Sequence, residues 1–479
     1  MKKIILLIML SLITSCSLLS EQEADELPVL KQLGFKRNFD PNTDPVAKFL
    51  EKETGYKVEY EVLPMENDDE KLALIMANKE AVDMIKVTPS QYHKLASQGY
   101  LEPLDNLLNT YGKTLLKVND DESWASAKIN GITYGIPERS PLAFAPDAIA
   151  IRRDILESLD EEIPQTLNEF YNLLLRIKNE TDLIPMTGYQ PLVHQISGAF
   201  GINAEWSVEN GQIVNRVEKR GFQEYLEFMR KLYQEGLLDL QWPINNHGSA
   251  RDKFGEGKAA MMASYGWGVS GVLVPTIEEN FNTKVDLIMG LESRTGRKGA
   301  YVDGTGVNWY IVIPKFSENK EHAMKYMEMK VQEDFFRSFT IGEPDVHWKI
   351  IGGKRVPIMP KFIDDKNNAD WFMTSTRQED YKDYWTLRIR KDVNIGKTFD
   401  RMLTQVEYGQ PEATSFAPPL SKNAQFSYKL LELEREYMID TIVNPNPQYT
   451  YEEFLEMWYE QGGLDTKTEY NMWFNKIKN

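Results

Sequence analysis

Cysteine is the scarcest resource in this chain: there is one, Cys16, in 479 residues. A single thiol forms no internal disulfide and leaves no room for a cysteine-based zinc site or an iron–sulfur cluster. Positive charge is also in deficit, with 55 Lys+Arg against 72 Asp+Glu and a formal net charge of −17. With no basic tail, sequence-independent nucleic-acid binding is excluded, because it needs Lys and Arg to displace counterions from phosphate. Histidine is sparse: His93, His194, His247, His322 and His347 share no metal-ligand spacing and read as ordinary packing or surface residues. No GxxxxGK(S/T), HExxH, GxSxG or CxxC motif occurs, so nucleotide hydrolysis and the metalloprotease, serine-hydrolase and thiol-redox chemistries have no motif to carry them. No metal and no cofactor is expected. Asp68-Asp69-Glu70 and Asp364-Asp365 read as solvated faces.

Long apolar runs are absent apart from the N-terminus, where Lys2 and Lys3 precede Ile4–Leu10, Leu12 and Ile13. That run falls far short of the ~20 residues that cross a bilayer and reads as a signal peptide over residues 1–15. It ends Leu12-Ile13-Thr14-Ser15-Cys16, which resembles the bacterial lipobox. The resemblance implies cleavage before Cys16, acylation of its sulfur, and a protein anchored through lipid to the extracellular face of the cell membrane. Residues 16–26 are then a short, polar, acidic tether.

What is present is an alternation of strands and helices. Val29–Phe35 reads as a strand, Pro45–Thr54 as a helix stopped by Gly55, Tyr56–Val62 as a strand, Asp68–Asn78 as a helix, and Val82–Val87 as a strand. Such spacing implies an α/β domain with a mainly parallel sheet, whose ligands bind at the carboxyl ends of its strands. Ile129–Pro137 is a hairpin by its Asn130-Gly131 turn, and Pro137 marks a boundary. A second unit begins with a strand at Ala148–Arg152 and a helix at Thr166–Lys178. A helix over Gly221–Gln234, strands over Lys258–Ser264 and Asn308–Pro314, and helices over Phe426–Ile442 and Thr450–Gln461 follow.

Four tryptophans sit in turn-like, polar contexts: Trp206 after Asn203-Ala204-Glu205, Trp267 between two glycines, Trp309 after Gly306-Val307-Asn308, and Trp371 after Asn367-Asn368-Ala369-Asp370. Large aromatics usually pack in cores. An indole flanked by glycine has little neighbouring side chain to cover it, so its cover comes from elsewhere in the fold or from a ligand. Together the four tilt toward a flat, polyhydroxylated guest.

The run Phe254-Gly255-Glu256-Gly257-Lys258-Ala259-Ala260-Met261-Met262 with Gly266-Trp267, and Leu232–Asp239, resemble the signature of family 1 extracellular solute-binding proteins, the sugar receptors of ABC importers. Ile151–Leu156 with Pro164–Phe170, Ile341–Trp348, Gly462-Gly463-Leu464 and Asn471–Phe474 resemble the larger lipoprotein branch of that family, in the family's order. One departure stands out. Members of this branch often carry an EF-hand-like calcium loop before an Ile-Pro, whereas here Lys178–Pro185 has no glycine and few oxygen ligands.

The resemblance implies a two-lobed, type II periplasmic-binding-protein-like α/β fold with mainly parallel sheets flanked by helices. The hinge would be crossed three times, near Glu138–Pro146, Leu291–Lys298 and Ile351–Pro360. Residues 27–140 plus 297–355 would form lobe 1, and 141–296 plus 356–479 lobe 2. The implied partners of this monomer are an oligosaccharide, ABC permease subunits and the membrane. Candidate cleft residues are Asn38, Asp40, Arg139, Trp206, Tyr265, Trp267, Asp303, Trp309 and Trp371. For Arg139 and the acidic residues an ordinary ion pair is an equal expectation. Arg294, Arg297, Lys298, Arg388, Arg390 and Lys391 would make the cleft basic if they face it. A secreted glycosidase is the competing reading; a facing carboxylate pair at ~5–10 Å would favour it.

Overall fold

The computed structural model describes residues 26–64, 66–140, 142–303 and 306–478, so the signal peptide, Cys16 and nearly all of the tether lie outside the described residues. Nine strands build two sheets: β1 (Leu30–Phe35), β2 (Val58–Leu63), β3 (Met84–Val87), β4 (Gly135–Arg139), β5 (Asp147–Arg152), β6 (Ile184–Thr187), β7 (Ala259–Gly266), β8 (Val285–Ile288) and β9 (Val307–Val312). The first sheet runs β2-β1-β3-β9-β4 and the second β8-β5-β7-β6. β1, β2 and β3 are parallel, but β9 is antiparallel to its neighbours and β5 is antiparallel to β7 and β8, so each sheet is mixed. The reversed strand in each sheet is the one reached from the other lobe.

Local sequence explains most of the elements. Helix Pro45–Thr54 starts at Asp44, whose carboxylate accepts the Val46 N–H at 2.8 Å, and ends at Gly55 with φ +74. Asn130 and Gly131, at φ +52 and +83, make the tight turn that the Asn-Gly pair demands. Helix Leu167–Glu180 opens with a capping box of Thr166 and Glu169 and buries Phe170, Leu173, Leu174 and Ile177.

The lobe boundary expected at residue 356 needs correction. Trp348–Ile351 and Lys354–Pro357 pair as an antiparallel hairpin around Gly352 and Gly353, both at positive φ, so the chain turns back where a crossing was expected. Beyond it, Phe362, Trp371, Phe372, Tyr384 and Leu387 join Val46, Leu50, Tyr60 and Phe336 in one core cluster of the first lobe. The buried Lys86 ammonium on β3 pins this segment further, pairing with Glu138 at 2.7 Å and donating to the carbonyls of Asp370 and Met373. The chain leaves for the second lobe only between helices Gln378–Ile389 and Val393–Met402. The latter starts at the Asp392 cap and packs on helix Ser270–Phe281. The chain also passes from the first sheet to the second between β4 and β5 and returns between β8 and β9.

The second lobe is completed by the C-terminal helices. Helix Ser421–Val443 lies on helix Arg220–Gln234, and Tyr437 stacks on Phe454 with ring centroids 3.9 Å apart. Between Gln410 and Ser421 the chain forms a strap. Glu412 anchors it to the second lobe, and Phe416 reaches the first, where its ring lies 4.7 Å from the Arg139 guanidinium carbon.

Candidate functional site

The carboxyl ends of β6 and β7 and the start of β5 open onto a cavity of about 640 Å³ in the second lobe, walled by helix Ser421–Val443 and by Glu412 and Thr414 of the strap. This is the edge where open α/β sheets take ligands. Tyr189, just past β6, and Tyr301 present half-exposed rings, and Tyr301 is stacked on His194 at 4.7 Å and 18°. His194 Nδ1 sits 3.1 Å from Asp147 Oδ2, and Gln195 donates to Asp147 at 2.9 Å. Burial works against the Asp147 charge, yet the His194 ring and the Gln195 amide hold its carboxyl below the ordinary carboxylate range.

Deeper in the cavity lies a set of carboxylates. Glu412 accepts the backbone N–H groups of Glu205 at 2.9 Å and Trp206 at 2.8 Å, and Glu205 accepts the Trp206 indole N–H at 3.0 Å. Arg216 forms a two-pronged pair with Glu434 at 2.6 and 3.2 Å. Burial pushes the Glu205 carboxyl up to about 7; Arg216 opposes the shift, while Glu434 and Glu412 add to it. Burial raises Glu412 as well.

A carboxyl raised on folding stabilises the native state below its unfolded value, ordinarily near 4.5, and that contribution is lost as pH rises through about 7. Glu205→Gln keeps the acceptor for Trp206 and carries no charge. It is expected to match the parent at pH 5 and to be more stable at pH 8 by on the order of 2 kcal/mol. Urea midpoints at the two pH values test this, and an equal offset at both would contradict it.

The expected site residues divide. Trp206 lines the cavity, 3 % exposed and against Tyr470. Tyr265 is a correction: it is fully buried in the core behind β7, beside Phe254. Trp371 is a second, 1 % exposed, its N–H donating to the Phe35 carbonyl at 2.8 Å. Trp267 packs edge-on to Phe144 and Phe399, which pins the first and third crossings together. Trp309 is stacked on Phe35 at 4.5 Å with Lys86 beneath both rings. Arg139 pairs with Asp120 and lies under Phe416, and exposed Asp303 is bridged to Phe144 through the backbone. Asn38 and Asp40 line a separate shallow hollow in the first lobe.

The basic residues that would have lined the cleft are engaged elsewhere. Arg388 pairs with Asp370, Arg390 with Asp400, and Lys391 donates to Asn367. Arg297 donates to the Phe200 carbonyl, and Lys298 lies over Tyr408. Arg294 does not line the cavity. The missed residues are Asp147, His194, Arg216, Ser264, Tyr301, Glu412 and Glu434. Only Ser264, at the end of a strand, had a local signal.

Lys178–Pro185, the stretch compared above with a calcium loop, is a helix end in which the Thr181 hydroxyl donates to the Ile177 carbonyl and accepts the Leu183 N–H. Among the described residues no group of three or more His, Cys, Asp or Glu side chains is arranged to hold a metal ion, and no helix is long and apolar enough to cross a membrane.

Residues 35–329 match the family model of the bacterial extracellular solute-binding protein. The chain belongs to this family. A Niallia circulans relative, described by its place in the butB 5′ region, is 33% identical over 257 residues, which are 53% of this chain and all of the relative. Lipoprotein LipO of Bacillus subtilis is 26% identical over 301 residues, 59% of this chain and 58% of its own length. The polygalacturonan/rhamnogalacturonan-binding protein YtcQ of the same organism is 22% identical over 381 residues, 73% of this chain and 72% of its own. An HMO-binding, ABC-transporter-associated solute-binding protein of Bifidobacterium longum infantis superposes with a TM-score of 0.68 at 15% identity, covering 94% of this chain and 99% of its own. At that identity the likeness is one of fold. It identifies the two sheets above as the two lobes of a periplasmic-binding-protein architecture.

Proposed function

We propose that this solute-binding protein is a lipid-anchored extracellular receptor that captures an oligosaccharide and delivers it to the permease of an ABC importer whose ATPase is a separate chain. The observation that carries the reading is the cavity of about 640 Å³ at the strand ends, where half-exposed tyrosine rings stand beside hydrogen-bonding side chains. Aromatic faces pack on the C–H faces of sugar rings while polar groups at the rim take the hydroxyls. The sugar-related names of YtcQ and of the Bifidobacterium neighbour support the substrate class, and LipO supports the anchor at Cys16. Ligand that binds the closed arrangement of the lobes more tightly shifts the hinge toward it, and the permease reads that state. A glycosidase needs a facing pair of free carboxylates, whereas in this cavity Glu412 is committed to two backbone N–H groups, Glu434 to Arg216, Asp147 to His194 and Gln195, and Glu205 to the Trp206 indole, leaving Glu432 at the rim.

A thermal-shift screen against neutral, amino and uronic oligosaccharides tests the receptor. A true ligand at 100 times its Kd adds about 2.7 kcal/mol of stability. Tyr301→Ala is expected to weaken the hit by roughly tenfold. No response across the screen would reject the reading. Palmitate labelling lost in Cys16→Ala tests the anchor separately.

A further inference from the structure

The cavity carries a charge that the proposed function leaves unused. Five carboxylates line it against two guanidinium groups. Arg216 pairs with Glu434 and is the cation that Glu205 and Glu412 share with it, and Arg435 is exposed at the rim, so the lining carries more carboxylates than guanidinium groups.

A second, independent feature points to a guest. Ser264 lines the same cavity, is 8 % exposed, and its hydroxyl has no hydrogen-bond partner among the described residues. Its backbone sits at φ +57, at the register shift between Met262 and Tyr265 of β7. The hydroxyl opens onto the cavity, so a ligand hydroxyl can take there the hydrogen bond that the protein leaves to solvent.

We propose that this cavity selects its sugar by charge, taking neutral and ammonium-bearing 2-amino sugars and rejecting uronates, with the Ser264 hydroxyl meeting a ring hydroxyl. The proposal rests on the oligosaccharide-receptor reading and narrows its substrate class. A uronate carboxylate entering here would meet an excess of carboxylates, with Arg216 already held by Glu434 and Arg435 out at the rim, a like-charge juxtaposition that the low-dielectric interior magnifies. An ammonium group on the same ring scaffold would supply the missing counter-charge. Rejection of this kind is a specificity device, built from the repulsive side of the ledger.

The test uses matched β-1,4-linked disaccharides of glucose, glucosamine and glucuronate, with the corresponding galacto set, titrated into the full chain at pH 7 and low salt. The amine is expected to bind at least as well as the neutral sugar, and the uronate more weakly than the amine by roughly tenfold or more. Glu432→Lys, a change at the rim of the cavity, is expected to narrow the amine-to-uronate ratio. Ser264→Gly suits the positive φ and removes the hydroxymethyl group, and Ser264→Ala removes the hydroxyl alone; both are expected to weaken all bound sugars by several-fold, roughly the loss of one hydrogen bond, with the ratio kept. A uronate that binds as tightly as the amine overturns the charge proposal, and an unchanged affinity in Ser264→Gly overturns the role of the hydroxyl. Failure of every sugar in both sets instead overturns the receptor reading.

Discussion

Arg216→Ala is expected to destabilise the second lobe by about 3–5 kcal/mol, the cost of stripping a buried carboxylate of its partner. Glu434 is 3 % exposed and gives both oxygens to the Arg216 guanidinium. Without that guanidinium it would share a poorly solvated cavity wall with Glu205 and Glu412, whose carboxyls burial already pushes upward. The three acids cannot all stay ionised there, so the variant should also bind protons on folding and lose more stability at pH 8 than at pH 5. Denaturant unfolding at the two pH values reads both effects. Arg216→Met with Glu434→Leu is expected to recover most of the loss, because an apolar pair of similar volume removes the desolvation penalty along with the attraction. A single-variant loss below about 1 kcal/mol would mean the pair behaves as a solvent-exposed bridge.

Trp371→Ala is expected to cost about 3–5 kcal/mol in the first lobe, as removal of a large buried aromatic does. The indole packs at 5.6 Å from Tyr60, 5.8 Å from Phe39 and 5.0 Å from Phe372, and lies so close over Gly34 that a Cβ there would come within 2.6 Å of the ring. A ligand-stacking tryptophan behaves oppositely: its removal spares folding and lowers affinity. Unfolding midpoints and sugar titration on the same variant separate the roles. Loss of affinity at unchanged stability would return Trp371 to the binding site.

Both predictions turn on residues that local sequence placed poorly, and the reason is the same. Trp371 looked exposed because Asn367, Asn368 and Asp370 surround it in sequence, yet these polar neighbours are themselves taken up. Asn368 donates to Asp44, and Asp370 pairs with Arg37 and Arg388. The glycine that makes room for the ring is Gly34, more than 300 residues earlier in the chain. The family resemblance implied a crossing near Ile351–Pro360, but the Gly352-Gly353 turn closes a hairpin there, and only the packing of Phe362, Tyr384 and Leu387 decides which lobe follows.

The sequence by itself determined the strand–helix alternation, the Gly55 helix stop, the Asn-Gly turn, the α/β class and the family, because each rests on spacing within about a dozen residues or on short motifs that survive without the fold, whereas the antiparallel strand that makes each sheet mixed rather than mainly parallel was not legible. The tertiary structure alone decided where the third crossing lies and what lines the cavity. Glu205 and Glu412 meet across 207 positions of chain, and Arg216 and Glu434 across 218. Contacts at such separations leave no periodicity to read, and a carboxylate has the same letter whether it faces solvent or a buried guanidinium.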